Sequence, residues 1–349
     1  MFKNQIDNKI LVKIKQVGYK FFSIKNSILF FICLGIGLLV PPKTYSWGFF
    51  GHRYINYHAV FLLPPEMISF YKMNIQYLED HSVDPDKRRY AIAEEGPRHY
   101  IDMDNYGKFP FEGLPKKWNN AVEKFSEDSL NAHGIAPWWI MVMQNRLRKA
   151  FEERNADAIL KLSAEIGHYI ADVHVPLHAS SNHNGQKTDQ LGIHGFWESR
   201  LPELFAEQEY DLFIGRATYI ENKLHYIWDR VYESANASDS VLQIEKQLSL
   251  RIPTHKRFNY EERNGVLQRQ FSSLYASRYH KSLVGMVERR MTASVYAIAC
   301  FWYSAWVEAG QPSLIDMKKG TLDSISLKDI ELLHSAWLGN RIIGRSCTN

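Results

Sequence analysis

Residues 168–178 read H-Y-I-A-D-V-H-V-P-L-H, which places His168, Asp172 and His178 at positions i, i+4 and i+10. On a helix of 3.6 residues per turn, i and i+4 share a face and i+10 falls nearly three turns further on. Three ligand-type side chains inside an otherwise apolar segment need a reason to be there. A metal such as zinc supplies one, because imidazole nitrogen and carboxylate oxygen are its preferred ligands where thiolate is absent. A set of core histidines satisfied by hydrogen bonds is the blander alternative. Pro176 interrupts the run, and a proline inside a helix costs about 3 kcal/mol. The expectation is a kink there that aims His178 at a neighbouring site.

The rest of the chain favours the metal. Fourteen histidines against three cysteines point away from a thiolate scaffold and toward His/carboxylate sites. His194 and Glu198, in G-I-H-G-F-W-E-S, form a second i,i+4 pair. His99 sits in R-H-Y-I-D, and Asp84 precedes it in V-D-P-D-K-R-R, where Asp86 competes for the same role. His174 faces away from His168 on the helix and reads as a core or supporting histidine. No G-x-S-x-G, G-K-[ST] or G-x-G-x-x-G pattern occurs, so serine-hydrolase, P-loop and dinucleotide chemistries find no foothold.

The N-terminus reads as a secretion signal. Residues 1–27 are polar and basic, and residues 28–40 (I-L-F-F-I-C-L-G-I-G-L-L-V) form an apolar run. That run is short for a membrane span and right for a signal core, with an uncleaved anchor as the alternative. Thr44 and Ser46 are small at the −3 and −1 positions of a cut before Trp47. Residues 1–46 are therefore expected to be a signal peptide, and the mature protein to be periplasmic or secreted. The leader holds seven of the 42 Lys/Arg and one of the 38 Asp/Glu, so its loss moves the formal charge from +4 to −2. The basic balance belongs to the leader and not to a nucleic-acid-binding surface.

Helical periodicity dominates the chain beyond the leader, over residues 120–131, 136–153, 157–173, 195–205, 217–234 and 275–309. Asn155 and Asp157 supply capping chemistry before I-L-K-L. Residues 289–309 are apolar on most faces, but Ser, Thr and Tyr within them favour a central bundle helix over a membrane span. No strand-like alternation is long enough to build a sheet. The fold class is all-α, a single-domain helical bundle over residues 47–310, followed by a C-terminal extension of unread role over 311–349. Cys300 and Cys347 remain after processing, with nothing in their spacing to say whether they pair.

A cut before Trp47 makes the mature chain begin W-G-F-F-G-H. A free α-amino group and the first carbonyl chelate a metal in a five-membered ring, with His52 nearby as a third ligand. Together with D…H-Y-I-D, H-x-x-x-D-x-H-x-P-L-H and H-x-x-x-E in that order, this start resembles the superfamily joining zinc-dependent phospholipase C to the single-strand-specific zinc nucleases. The resemblance runs from Trp47 to about residue 310 and implies three zinc ions. Asp84, His99, His168 and one oxygen of Asp172 would hold the first. Trp47, His52 and the other oxygen of Asp172 would hold the second, and His178, His194 and Glu198 the third. Asp84 is preferred over Asp86 because its spacing to His99 matches the nucleases.

The resemblance further implies hydrolysis of phosphodiesters by metal-activated water. Asp102 would orient that water or, alternatively, support a ligand histidine. Lys87, with Arg88 as fallback, would neutralise phosphate charge. Tyr100, Phe196 and Trp197 are placed to stack bases if the substrate is single-stranded nucleic acid or nucleotides, with ordinary core packing as the alternative. Glu198 and the short linker between His178 and His194 look more like the phospholipases, so phospholipid headgroup esters are the alternative substrate. A non-catalytic zinc-binding protein is the second alternative.

Overall fold

The computed structural model describes residues 48–263, 265–315 and 317. The leader, Trp47, Cys347 and nearly all of the C-terminal extension lie outside the described residues, and so do the expectations that fall on them. Among the described residues the architecture is helical, with one two-stranded antiparallel hairpin.

Helix α1 (Gly48–Ala59) was not expected from periodicity, and its buried face explains why. That face carries Gly48, Gly51, His52, Ile55, Asn56 and Ala59, so polar side chains point inward. Helices α2 (Pro65–Met73) and α3 (Ile75–Asp80) follow, and then the short α4 (Asp84–Arg88). Helices α5 (Trp118–Phe125) and α6 (Glu127–His133) replace the single helix expected over 120–131. They break at Ser126, which takes φ +68° and caps α6 by accepting from the Ser129 N–H at 3.4 Å.

Helices α7 (Ala136–Glu152) and α8 (Ala156–Asp172) pack side by side. The Asn155 side chain caps α8, accepting from the Ala158 N–H at 3.1 Å. Every residue of α8 from Ser163 to Asp172 is buried. The expected proline kink is instead a termination. α8 ends at Asp172, Val175 is extended as a residue before proline should be, and Pro176 opens a separate 3-10 turn, Pro176–Ala179. His178 therefore reaches the site from this turn and not from the helix. A helical stretch over 193–200 contains a π-type segment, Phe196–Arg200, and runs on into α9 (Leu201–Glu209).

Helix α10 (Lys223–Arg251) starts later and runs longer than expected. Strands β1 (Phe258–Arg263) and β2 (Val266–Phe271) then form the hairpin, paired from Phe258↔Phe271 to Arg263↔Val266. The continuous helix expected over 275–309 is two, α11 (Ser273–Ser282) and α12 (Met286–Glu308), split where Val284 and Gly285 both take positive φ.

Helix α12 is the centre of the bundle and packs against α1, α7 and α8. Its Trp302 donates to the Ser163 carbonyl at 3.0 Å, and the Ser163 hydroxyl in turn lies 2.8 Å from the Tyr71 hydroxyl. No helix among the described residues is long and apolar enough to cross a membrane. Close approach of α1 to α8 depends on Gly167, where a Cβ would stand 2.1 Å from Asn56 Oδ1. Asn56 also donates to the Ala164 carbonyl at 3.0 Å, which fixes α1 one turn beyond His52. Gly134, at φ +92°, allows a similar approach to the Tyr100 carbonyl.

Candidate metal centre

Asp172 ends α8, fully buried, and its two oxygens face different neighbours. Oδ2 lies 2.9 Å from His99 Nδ1 and 3.3 Å from His168 Nε2. Oδ1 lies 3.5 Å from His52 Nε2 and 3.6 Å from His178 Nδ1. Burial alone would raise this carboxyl's pKa, but His168, His178 and His52 outweigh it and hold the group well below the usual carboxylate range. It is ionised at neutral pH, the state in which a carboxylate binds metal.

Three sets of donors emerge among the described residues: His99 with His168 and Asp172, His52 with Asp86 and His168, and His178 with His194 and Glu198. In the third set Glu198 Oε2 stands 2.9 Å from His194 Nε2 and 3.2 Å from His178 Nε2. Burial opposes ionisation of Glu198, yet these histidines bring its pKa down to about 2.

The ring orientations are fixed from behind. His168 Nδ1 lies 2.8 Å from the Ser82 carbonyl, and His178 Nδ1 lies 2.7 Å from the His99 carbonyl. Each bond selects the tautomer in which Nε2 carries no proton and can coordinate a metal. Glu95, fully buried, lies 3.5 Å from His99 Nε2 and accepts hydrogen bonds from Arg88, Arg98 and Tyr169. This brace was not foreseen, although Glu95 and His99 stand at i,i+4 spacing.

The donor set fits zinc. Two ligands at about 2.0–2.1 Å from a tetrahedral ion stand roughly 3.3–3.4 Å apart, close to the separations found. Several donors are buried with no hydrogen-bond partner among the described residues: both nitrogens of His52, both oxygens of Asp86 and Asp172 Oδ1. Such atoms cost about 1–3 kcal/mol each when left unsatisfied, and a cation answers them together.

The carboxylate that joins the cluster is Asp86 and not the expected Asp84. Asp86 is 5 % exposed, and its Oδ1 lies 3.7 Å from His168 Nε2 and 3.8 Å from His99 Nδ1. Asp84 is turned away and engaged, 2.5 Å from His81 Nδ1 and 2.8 Å from Lys87 Nζ. The basic residues shift accordingly. Lys87 pairs with Asp84, and Arg88 pairs with Glu95 and Glu165. It is Arg89, 3.6 Å from Asp86, that lines the mouth of the centre with His99, Tyr100, His178, His183 and His194.

Tyr100 lines that cavity and is 9 % exposed, and the other two aromatic candidates are deeper still. Phe196 is 1 % exposed and stacks on Phe271 at 3.9 Å, and Trp197 is fully buried. They pack the core behind Glu198 and cannot stack on a base. Asp102 is buried in the segment that follows His99, where its neighbour Ile101 donates to the His178 carbonyl at 2.9 Å. His174 is a core residue, with Nδ1 2.7 Å from the Ile170 carbonyl. Gly48, the first described residue, donates its N–H to the Ser199 hydroxyl at 3.0 Å, which brings the start of α1 beside the residue after Glu198.

A family model described as zinc dependent phospholipase C matches residues 51–255. The chain belongs to this family. Within the zinc-dependent phospholipase C match lie all the donors named above, from His52 to Glu198. Nuclease S1 of Aspergillus oryzae (strain ATCC 42149 / RIB 40) is 26% identical over 218 residues, covering 58% of this chain and 69% of that protein.

Proposed function

We propose that this chain is an exported phosphoric ester hydrolase that cleaves single-stranded nucleic acid at a three-zinc centre. The observation that carries the reading is Asp172, a buried, ionised carboxylate facing two donor sets at once. Such a group holds two cations close together, and a phosphodiester with its negative charge is the substrate that gains most from that. Asp86 replaces Asp84 in the ligand set, beside His99 and His168. The leader sequence supports export and a cut before Trp47. The α-amino group and carbonyl of Trp47 would then complete the set around His52.

Zinc, when bound, lowers the pKa of water and polarises phosphoryl oxygen. The chain's own residues supply position and charge. Glu95, Ser82 and the His99 carbonyl fix the histidine rings from behind. Arg89 offsets phosphate charge at the mouth, the role expected of Lys87 and Arg88. Asp102 orients the attacking water and accepts its proton. The similarity to Nuclease S1 supports nucleic acid as substrate.

A phospholipase reading is favoured by the family description and by Glu198 in the third set. Purified mature protein assayed side by side on single-stranded DNA, RNA, 3′-nucleotides and phosphatidylcholine separates the two. Hydrolysis of the nucleic acids with phosphatidylcholine untouched is expected, and the reverse pattern would replace the nuclease reading.

A further inference from the structure

A cleft of about 880 Å³ opens beside the metal centre. One wall is the loop after His178: Ser180 and Asn182 line the cleft, while His183 of the same loop lines the mouth of the centre. Two residues of backbone span at most about 7 Å, so the cleft begins within that distance of His178. This wall is held in shape, because Asn182 is buried between the Thr188 hydroxyl at 3.1 Å and the Lys187 N–H at 2.8 Å. The opposite wall is α10.

The side chains that face this space include two lysines and an open aromatic ring, with Asp104 and the exposed Asp239 also lining it. Phe109 is 59 % exposed and meets Phe111 edge to face at 5.8 Å, so most of its ring is open to a ligand. Lys108 stands beside it, and Lys246 stands on α10. Lys246 gives one N–H to the Thr188 carbonyl at 3.0 Å, which leaves two more for a ligand. Asn236 and Gln243, also on α10, are exposed, and their carboxamides make no hydrogen bond with the described residues. Asp104, on the rim, is already engaged by the Ser181 N–H at 2.8 Å and lies 3.8 Å from Lys187. An acyl chain has no charge for the two lysines to meet.

We propose that this cleft holds the single-stranded nucleic acid that continues beyond the bond being cut. A base stacks on Phe109, backbone phosphates lie against Lys108 and Lys246, and the Asn236 and Gln243 carboxamides meet base edges. The inference rests on the nuclease reading and extends it to substrates longer than a dinucleotide.

The test compares zinc-loaded wild type with Phe109→Ala and with the pair Lys108→Gln and Lys246→Gln. The substrates are a dinucleotide and a long oligothymidylate. Each variant should lower the ratio of kcat/KM on the oligonucleotide to that on the dinucleotide by about tenfold, the scale of one lost stacking or phosphate contact. The lysine pair should also flatten the salt dependence of KM, by a log–log slope of about 0.7 per phosphate contact. Zinc content and melting temperature equal to wild type certify the fold of each variant. Unchanged ratios, with wild type cutting both substrates, would overturn the cleft assignment and leave the nuclease reading standing. A wild type that cuts neither substrate overturns both.

Discussion

Asp84 and Asp86 are two residues apart, about 200° on a helix, so only one of them faces α8. Spacing to His99 favoured Asp84, and spacing cannot see which side of a five-residue helix is turned inward. Burial decides for Asp86, and the same rotation takes Lys87 to an outer pair with Asp84, Arg88 to the buried carboxylates of Glu95 and Glu165, and Arg89 to the mouth. Asp86→Asn is therefore expected to reduce bound zinc, while Asp84→Asn retains it. Metal analysis of the two purified variants checks this, and the opposite result would restore Asp84. His168 and His194 were legible as candidate ligands because i,i+4 spacing to a carboxylate is local information, whereas His52 and His99 were named from the order of motifs along the chain. The burial of Phe196 and Trp197 was not legible, since aromatic residues beside a ligand read the same whether they face solvent or the core. Asp102 is expected to serve turnover more than metal retention. Asp102→Asn should keep its zinc and lose at least about a hundredfold in kcat, the range for a positioned acid–base group. Loss of zinc together with activity would make it a support for His99 instead.

The elements legible in the sequence are those with apolar periodicity: α7 and α8 lie within a few residues of expectation, and α12 falls inside the longer helix expected over 275–309. Helix α1 escaped notice because its inward face carries His52 and Asn56, reversing the usual pattern. The hairpin escaped because its strands are short and largely polar, although Asn264-Gly265 between them is a strong turn signal. The breaks at Ser126 and at Val284–Gly285 are backbone events with no mark in hydrophobic spacing. The α1–α8 contact has a sharp test in Gly167. An alanine there would place Cβ 2.1 Å from Asn56 Oδ1, so the Asn56 side chain must leave its bond to the Ala164 carbonyl or α1 must move outward with His52. Gly167→Ala is expected to cost about 1–3 kcal/mol and to weaken zinc binding. Thermal melting and zinc titration measure the two effects, and a variant with wild-type melting and affinity would show that the contact relaxes freely.

At the scale of the molecule, metal and fold depend on each other. The cluster joins α1, the short helix α4, the His99 segment, α8 and the loop beyond it, elements far apart in sequence. Without cations these elements meet across buried carboxylates and unsatisfied nitrogens. Each occupied site stabilises the native state by about 2.7 kcal/mol at a hundredfold excess of free zinc over its Kd. Stripping zinc with a chelator should therefore lower the melting temperature by several degrees, and zinc should restore it while magnesium does not. An unchanged melting curve would mean that the cluster is satisfied by its own hydrogen bonds. The most direct test of the central claim is the zinc content of protein beginning at Trp47, with and without the Asp172 carboxylate. Three ions per chain are predicted for the wild type, and Asp172→Ala should lose two of them together because its oxygens face two donor sets. A wild type with one ion or none, or a variant that loses only one, would contradict the shared carboxylate at the centre of this structure.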